Sequence, residues 1–349
     1  MNSFFLDFRD PLFSIIIFLA LIFAITFLSY WWGRYKTKGN SKELDKFLQQ
    51  FHTLPTENEL KILISSGELS QKSWLLLANS YTKSGDFEKA IEIYLEILRL
   101  PSRSNEKETM FLLGKVYFKA GFLERAKQIF LEILHTSPRT PQALHYLLLV
   151  YEYLRDYTSA LKVLEPLDEL NEAIQKDEIY LKNLALLHDS EKTQAEKTSQ
   201  ILSFYKEHHQ LKYMVFEYLF ANDPALAWEH FDGSSGELLI DILWNLPPKA
   251  LNLAIITNND FLRELYSARG DITLSKGSTI FELDVLIKLQ NTPLQANLSF
   301  EYSCSQCKQS YPFAFKRCSH CHAIDTQTIQ WSIVKNYHTI FNEETDSFQ

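Results

Sequence analysis

Cysteine is absent from the first 303 positions of this chain; all four cysteines fall between Cys304 and Cys321. Whatever they do is confined to one place. Glycine and proline are scarce too, 10 and 11 in 349 residues. So few turn formers argue against a many-stranded β architecture and for long helices with short connections. Positive charge is short: 35 Lys and Arg stand against 43 Asp and Glu, a net charge of -8. That argues against a nucleic-acid binder working by phosphate neutralisation, and leaves cationic or neutral protein partners open. The chain has no GxxxxGK[ST], HExxH or GxSxG motif and no Rossmann fingerprint, so no enzymatic activity is expected. What remains is a length suited to about two domains, and 46% hydrophobic residues, enough for a sizeable core.

One long apolar run is present. Leu12 to Trp32 carries no charge over 21 residues, near the ~20 that span a bilayer. Tyr30, Trp31 and Trp32 close it with an interfacial aromatic belt. A cleaved signal peptide fits less well, because the run is long for such a segment and no small-x-small cleavage site follows. Arg9 is the one positive charge before the run; Arg34, Lys36, Lys38 and Lys42 follow it. The positive-inside rule then places everything from about Gly33 onward in the cytoplasm, beside a membrane crossed once.

The middle of the chain repeats itself. Aligning Trp74, Met110 and Leu144 puts an aromatic seven residues on (Tyr81, Tyr117, Tyr151). An alanine falls sixteen on (Ala90, Ala126, Ala160), and a large apolar residue four beyond that (Tyr94, Phe130, Leu164). The alanines are 36 and 34 residues apart. This is the tetratricopeptide pattern, in which each unit is a pair of antiparallel helices that cannot bury its apolar face alone and so stacks on the next. Alanine marks the close helix crossing. Gly85 and Gly121 mark inter-helix turns that need a left-handed residue, and Asp86 and Asp156 are candidate caps of the second helices. Leu44 to Ser66 reads as a degenerate helix pair. The polar stretch DSEKTQAEKTSQ reads as a long loop or helix start, Leu211 to Phe231 as two short helices around Asp223-Pro224, and Leu238 to Leu251 and Asn258 to Ala268 as further helices.

Stacked repeats present a face lined by their first helices, which binds peptides or proteins. By phase, that face includes Asn79, Lys83, Lys115, Phe118, Lys119, His145 and Glu152. Some repeats clamp a peptide C-terminus with a lysine at a set position; here that position is Leu75, so this mode is not expected.

The cysteines form two CxxC pairs, Cys304/Cys307 and Cys318/Cys321, ten residues apart. Two residues between cysteines let both sulfurs reach one ion from a single turn, and two such turns give tetrahedral S₄ coordination of one Zn or Fe ion. Four protein ligands close the shell, which points to a structural rather than a catalytic site. Disulfides need an oxidising compartment, against the expected orientation. The segment Ser310 to Phe315 suits a hairpin under the metal, with a second strand within Ala323 to Ile333.

The expected fold is thus mainly α: an N-terminal transmembrane helix, a tetratricopeptide-repeat solenoid and a small C-terminal zinc-ribbon domain. The expected boundaries are 1–33 for the anchor, 34–298 for the repeats (clear at about 71–170), 299–335 for the ribbon and 336–349 for an acidic tail. An anchor ending Tyr30-Trp-Trp-Gly33-Arg34, repeats, and then Tyr302-x-Cys304-x-x-Cys307 with Cys318 and Cys321 resembles the lipopolysaccharide assembly protein B family. The resemblance implies a rubredoxin-like metal domain after the repeats, and a bacterial inner-membrane adaptor that brings the lipid A pathway deacetylase to a membrane AAA+ protease and so regulates lipopolysaccharide synthesis. It differs in carrying Lys308 and Ser319 where the family has Gly and Pro, so a looser first knuckle is expected. The alternatives are a general protein–protein assembly scaffold for another membrane complex, or an electron-transfer protein with an S₄ iron site. Self-association stays open.

Overall fold

A computed structural model describes residues 21–23, 25–27, 64, 70–100, 106–273, 277–292 and 294–335. The chain divides at Glu172/Ala173 into two compact units. Of the apolar run 12–32, only 21–23 and 25–27 are described; they are helical and exposed. Among the described residues no helix is long and apolar enough to cross a membrane. The anchor, the helix pair expected at 44–66 (Ile64 apart) and the tail 336–349 lie outside the described residues.

The first unit contains three helical hairpins. They are α1 (Gln71–Ser84) with α2 (Phe87–Arg99), α3 (Glu106–Lys119) with α4 (Leu123–Thr136), and α5 (Pro141–Tyr153) with α6 (Tyr157–Glu169). The repeat positions carry the packing. Ala90, Ala126 and Ala160 are fully buried, and Tyr94, Phe130 and Leu164 are buried four residues on, one helical turn further along the same face. At Gly114 a Cβ would stand 2.8 Å from the Phe130 ring, so that helix contact admits no side chain.

The three inter-helix turns are built alike. The N–H groups of Asp86, Phe122 and Asp156 each donate to the carbonyl of the repeat aromatic, Tyr81, Tyr117 and Tyr151, at 2.9 Å. This wide bond back into the helix end needs a left-handed residue just before the donor. Gly85 (φ 85°) and Gly121 (φ 81°) provide it; in the third repeat Arg155 does so at φ 59°. The two aspartates part company. Asp156 caps α6 by accepting from the Ser159 N–H. Asp86 makes no such bond and instead pairs with Lys89 at 2.6 Å.

The second unit begins with α7 (Gln175–His188) and α8 (Gln194–His208), so of the two readings of the polar stretch after His188, long loop or helix start, the structure has the helix start. The loop is only five residues, 189–193, because Thr193 and Glu196 form a reciprocal capping box that starts α8 at once. The polarity of α8 belongs to its outer face, while Ile201 and Leu202 are buried. Helices α9 (Lys212–Asn222) and α10 (Pro224–His230) flank Asp223 as expected; Asp223 caps α10 through the Leu226 N–H. The expected helix at 238–251 is broken. After α11 (Ile240–Trp244), Pro247 and Pro248 end it and leave a short 3₁₀ turn. Next come α12 (Leu253–Thr257), α13 (Asp260–Arg269) and α14 (Phe281–Leu289).

Three antiparallel strands close the second unit in the order β2-β1-β3: β1 (Ala296–Cys304), β2 (Ser310–Tyr311) and β3 (Gln327–Lys335). The strand after the second knuckle starts at Gln327, later than Ala323, because 317–324 is itself a tight turn bridged at Arg317 and Ile324. The sheet shares the helical core. Leu298 is buried in one cluster with Phe216, Trp228, Leu243, Leu262, Tyr266 and Leu283, and Phe300, Ile329, Trp331 and Ile333 pack against it.

Candidate metal centre and repeat face

Cys304 ends β1 and Cys307 follows in the turn toward β2; Cys318 and Cys321 belong to the second turn. The four sulfurs lie within 4.8 Å of one another. Cys304 Sγ is 3.7 Å from Cys321 Sγ, and Cys307 Sγ is 3.6 Å from Cys318 Sγ. A Zn–S bond of about 2.3 Å makes the S···S edge of a regular tetrahedron about 3.8 Å. The two cross-knuckle distances thus match a shared ion and are far too long for disulfides, and all four thiols are free. Four cysteines this close can bind a metal ion.

Each knuckle closes on itself through the backbone. The Lys308 N–H donates to the Cys304 carbonyl, and the His322 N–H donates to the Cys318 carbonyl, both at 2.8 Å. Lys308 (φ 61°) and His322 (φ 63°) are left-handed there. Lacking glycine, the first knuckle is therefore not looser; it closes as the second does, with backbone strain in place of glycine's freedom.

Two neighbours of the sulfurs carried no signal in the spacing. Thr326 Oγ1 lies 3.2 Å from Cys304 Sγ, and the Tyr311 hydroxyl lies 3.1 Å from Cys318 Sγ. Burial pushes the Cys304 thiol up, but the Thr326 hydroxyl and the N–H groups of Cys307 and Gln306 outweigh it and bring the thiol down to about 6. Cys318 is also lowered: burial raises it, and the Cys321 N–H and the Tyr311 hydroxyl more than offset that. Cys321 is pushed up to about 12, first by burial and then by the other sulfurs.

The centre is tied to the helices from both knuckles. Beside Cys304, the Tyr302 hydroxyl donates to Asp241 Oδ2 at 2.8 Å, and Tyr213 donates to the same oxygen at 2.6 Å. Burial, then Asp241, raise both phenols above the ordinary tyrosine range. Next to the second pair, Lys316 meets Glu217 at 2.7 Å. Arg317 meets Asp177 at 2.8 Å and lies over the Tyr180 ring.

On the repeat face the structure joins some of the expected residues and not others. Lys115 Nζ lies 5.7 Å from the Phe111 ring centre and 5.5 Å from that of Tyr146. Phe118 meets Tyr146 and Tyr153 edge-on, at 5.8 and 5.3 Å between centroids. Lys119 is exposed on the same helix; Asn79 and Lys83 are exposed on α1. His145 turns to Glu172, 3.4 Å away, and Glu152 is half-buried. Phase alone missed Phe111, Tyr146 and Tyr153. Repeat arithmetic holds a signal for Tyr153, which is the third-repeat counterpart of Lys83 and Lys119.

Residues 73–108 match the tetratricopeptide repeat family. That segment is α1, α2 and the start of α3. A search of curated proteins found no match. Among solved structures, a tetratricopeptide repeat protein from Parabacteroides merdae ATCC 43184 is similar at 15% identity and a TM-score of 0.34, over 63% of this chain and 98% of that one. Residues 73–108 thus match a tetratricopeptide repeat, and the chain also carries a tetracysteine cluster at Cys304, Cys307, Cys318 and Cys321.

Proposed function

We propose that this chain is a non-enzymatic scaffold, anchored in a bacterial inner membrane by 12–32, with its bulk in the cytoplasm. Its repeat face holds protein partners, and one metal ion on Cys304, Cys307, Cys318 and Cys321 holds the knuckle loops of the C-terminal ribbon together. The observation that carries the scaffold is the run of three like-built hairpins, one of them within the family match. Such stacks present a continuous side-chain face and work by binding. In the finer reading the scaffold is an adaptor in lipopolysaccharide synthesis, joining the lipid A pathway deacetylase to a membrane AAA+ protease. That reading rests on the order of anchor, repeats and cysteine knuckles.

Purification of the full chain from native membranes in mild detergent tests both levels. Recovery of the protease together with the deacetylase supports the adaptor. A different membrane complex keeps the scaffold and removes the adaptor. Elemental analysis of the same sample identifies the metal; iron with a reversible potential would favour electron transfer instead.

A further inference from the structure

The first-helix face carries uncompensated positive charge beside exposed aromatic surface. Lys115 and Lys119 are four residues apart on α3, so their like charges repel along one helix face. No carboxylate among the described residues forms an ion pair with either, or with Lys83, the first-repeat counterpart of Lys119. Lys115 is also half-buried, with its ammonium over the Phe111 and Tyr146 rings. Burial, and then the Lys119 charge, hold it below the ordinary lysine range. The ring faces offset part of that cost, but a lysine shielded from water and without a counter-ion remains an unspent attraction for an anion.

The aromatic side of the patch is exposed as well. Phe118 stands edge-on between Tyr146 and Tyr153, and Tyr153 is 54% exposed. An exposed tyrosine in contact with a half-buried phenylalanine, next to cationic side chains, is the composition of an interface anchor. Glu152 lies on this face too and already has an interaction of its own, and Glu108 lies two helical turns from Lys115, at the start of α3. Although the whole chain carries -8, Lys115 and Lys119 set two positive charges side by side here.

We infer that the face formed by α3 and α5 takes an acidic segment of a partner protein bearing an aromatic or leucine side chain. The partner's carboxylates lie against Lys115 and Lys119, and its apolar side chain packs on Phe118 and Tyr153. The inference rests on the reading of the repeats as a protein-binding face and names the chemistry of the partner. It does not involve a C-terminal carboxylate clamp, since Leu75 occupies the lysine position of that device.

The test uses the full chain in detergent and a fluorescein-labelled peptide of glutamates flanking one phenylalanine. Controls are the same peptide with lysines for glutamates and with serine for the phenylalanine. The acidic aromatic peptide should bind, and each control should bind at least about tenfold more weakly, the ratio set by about 1.4 kcal/mol. Added salt should weaken the complex. Lys115→Ala with Lys119→Glu should abolish binding with the helical circular dichroism unchanged; Lys119→Glu alone, at an exposed position, should weaken it severalfold. Equal binding of all three peptides, no binding of any, or full binding by the lysine variants overturns the inference. If a natural partner is captured as well by the lysine double variant as by the unaltered chain, the scaffold reading stands and this one falls.

Discussion

The third repeat turn offers a test of the repeat geometry at a single residue. Gly85, Gly121 and Arg155 occupy one structural position, at φ 85°, 81° and 59°. A residue with a Cβ costs about 1–2 kcal/mol in the left-handed region. Glycine gives back roughly 0.5–1 kcal/mol of that through the freedom of the unfolded chain. Arg155 is exposed, and the turn bond beside it is a backbone bond that glycine also makes. Arg155→Gly should therefore stabilise the first unit by about 0.5–1 kcal/mol. At a few degrees per kcal/mol for a unit of this size, its melting temperature should rise by about 1–4 °C. The converse is Gly121→Ala. No atom lies within 4 Å of the Cβ it would add, so its cost is that of the dihedral alone, about 1 kcal/mol destabilising. Urea unfolding followed by circular dichroism reads both as midpoint shifts of opposite sign at constant slope. A lower midpoint for Arg155→Gly, or no shift for Gly121→Ala, would refute the claim that one turn geometry serves all three repeats.

Asp156→Ala should cost about 1 kcal/mol by removing the cap of α6. The Ser159 hydroxyl and N–H depress the Asp156 carboxyl, so this contribution is present above the unfolded carboxyl pKa and is lost as pH falls through the folded one; a mutant deficit that persists at low pH would sink the assignment. At the metal centre Cys304 and Cys318 are held down while Cys321 is pushed up to about 12 and Cys307 is also raised. Zinc added to the apo chain at neutral pH should displace at least two protons per ion, those of Cys307 and Cys321, and its affinity should fall as the pH is lowered; an indicator dye in weak buffer that records no proton release contradicts this. Chelation should open the 304–327 region to protease before the first unit is cut, and equal cleavage of both units would disprove a local role for the ion. Tyr302→Phe removes one of the two hydroxyls on Asp241 and should cost about 1–3 kcal/mol while one ion per chain is retained; metal loss in this variant would place Tyr302 in the centre rather than in its support.

What the sequence disclosed, and what it hid, follow from the range of the interactions. The repeat turns and the cysteine pairs are local patterns, each set by residues a few positions apart. Gly85 and Gly121 needed only the rule that helix ends favour a left-handed residue. Arg155 escaped because its sequence breaks that rule while its backbone keeps it. The polar stretch after His188 left a long loop and a helix start both open by charge content, and the helix start is decided by Thr193 and Glu196, two positions three apart. The double proline at 247–248 was in plain view, and giving it full weight would have split the helix expected across it.

The contacts that seat the metal centre were hidden for the opposite reason. Tyr302 reaches Asp241 across 61 residues, and Arg317 reaches Asp177 across 140. No spacing rule pairs residues so far apart. A ribbon this small was expected to depend on its ion, and the structure adds a second support. Leu298 shares a core with Phe216 and Trp228, and the inward residues of β3 pack on the same cluster. The ion and the helical core therefore act on different ends of one sheet. The core secures the strand paired from Ala296 to Lys335, and the sulfurs secure the loops between Cys304 and Gln327. Metal loss should loosen those loops while β1 and β3 stay paired, a local opening rather than collapse of the unit.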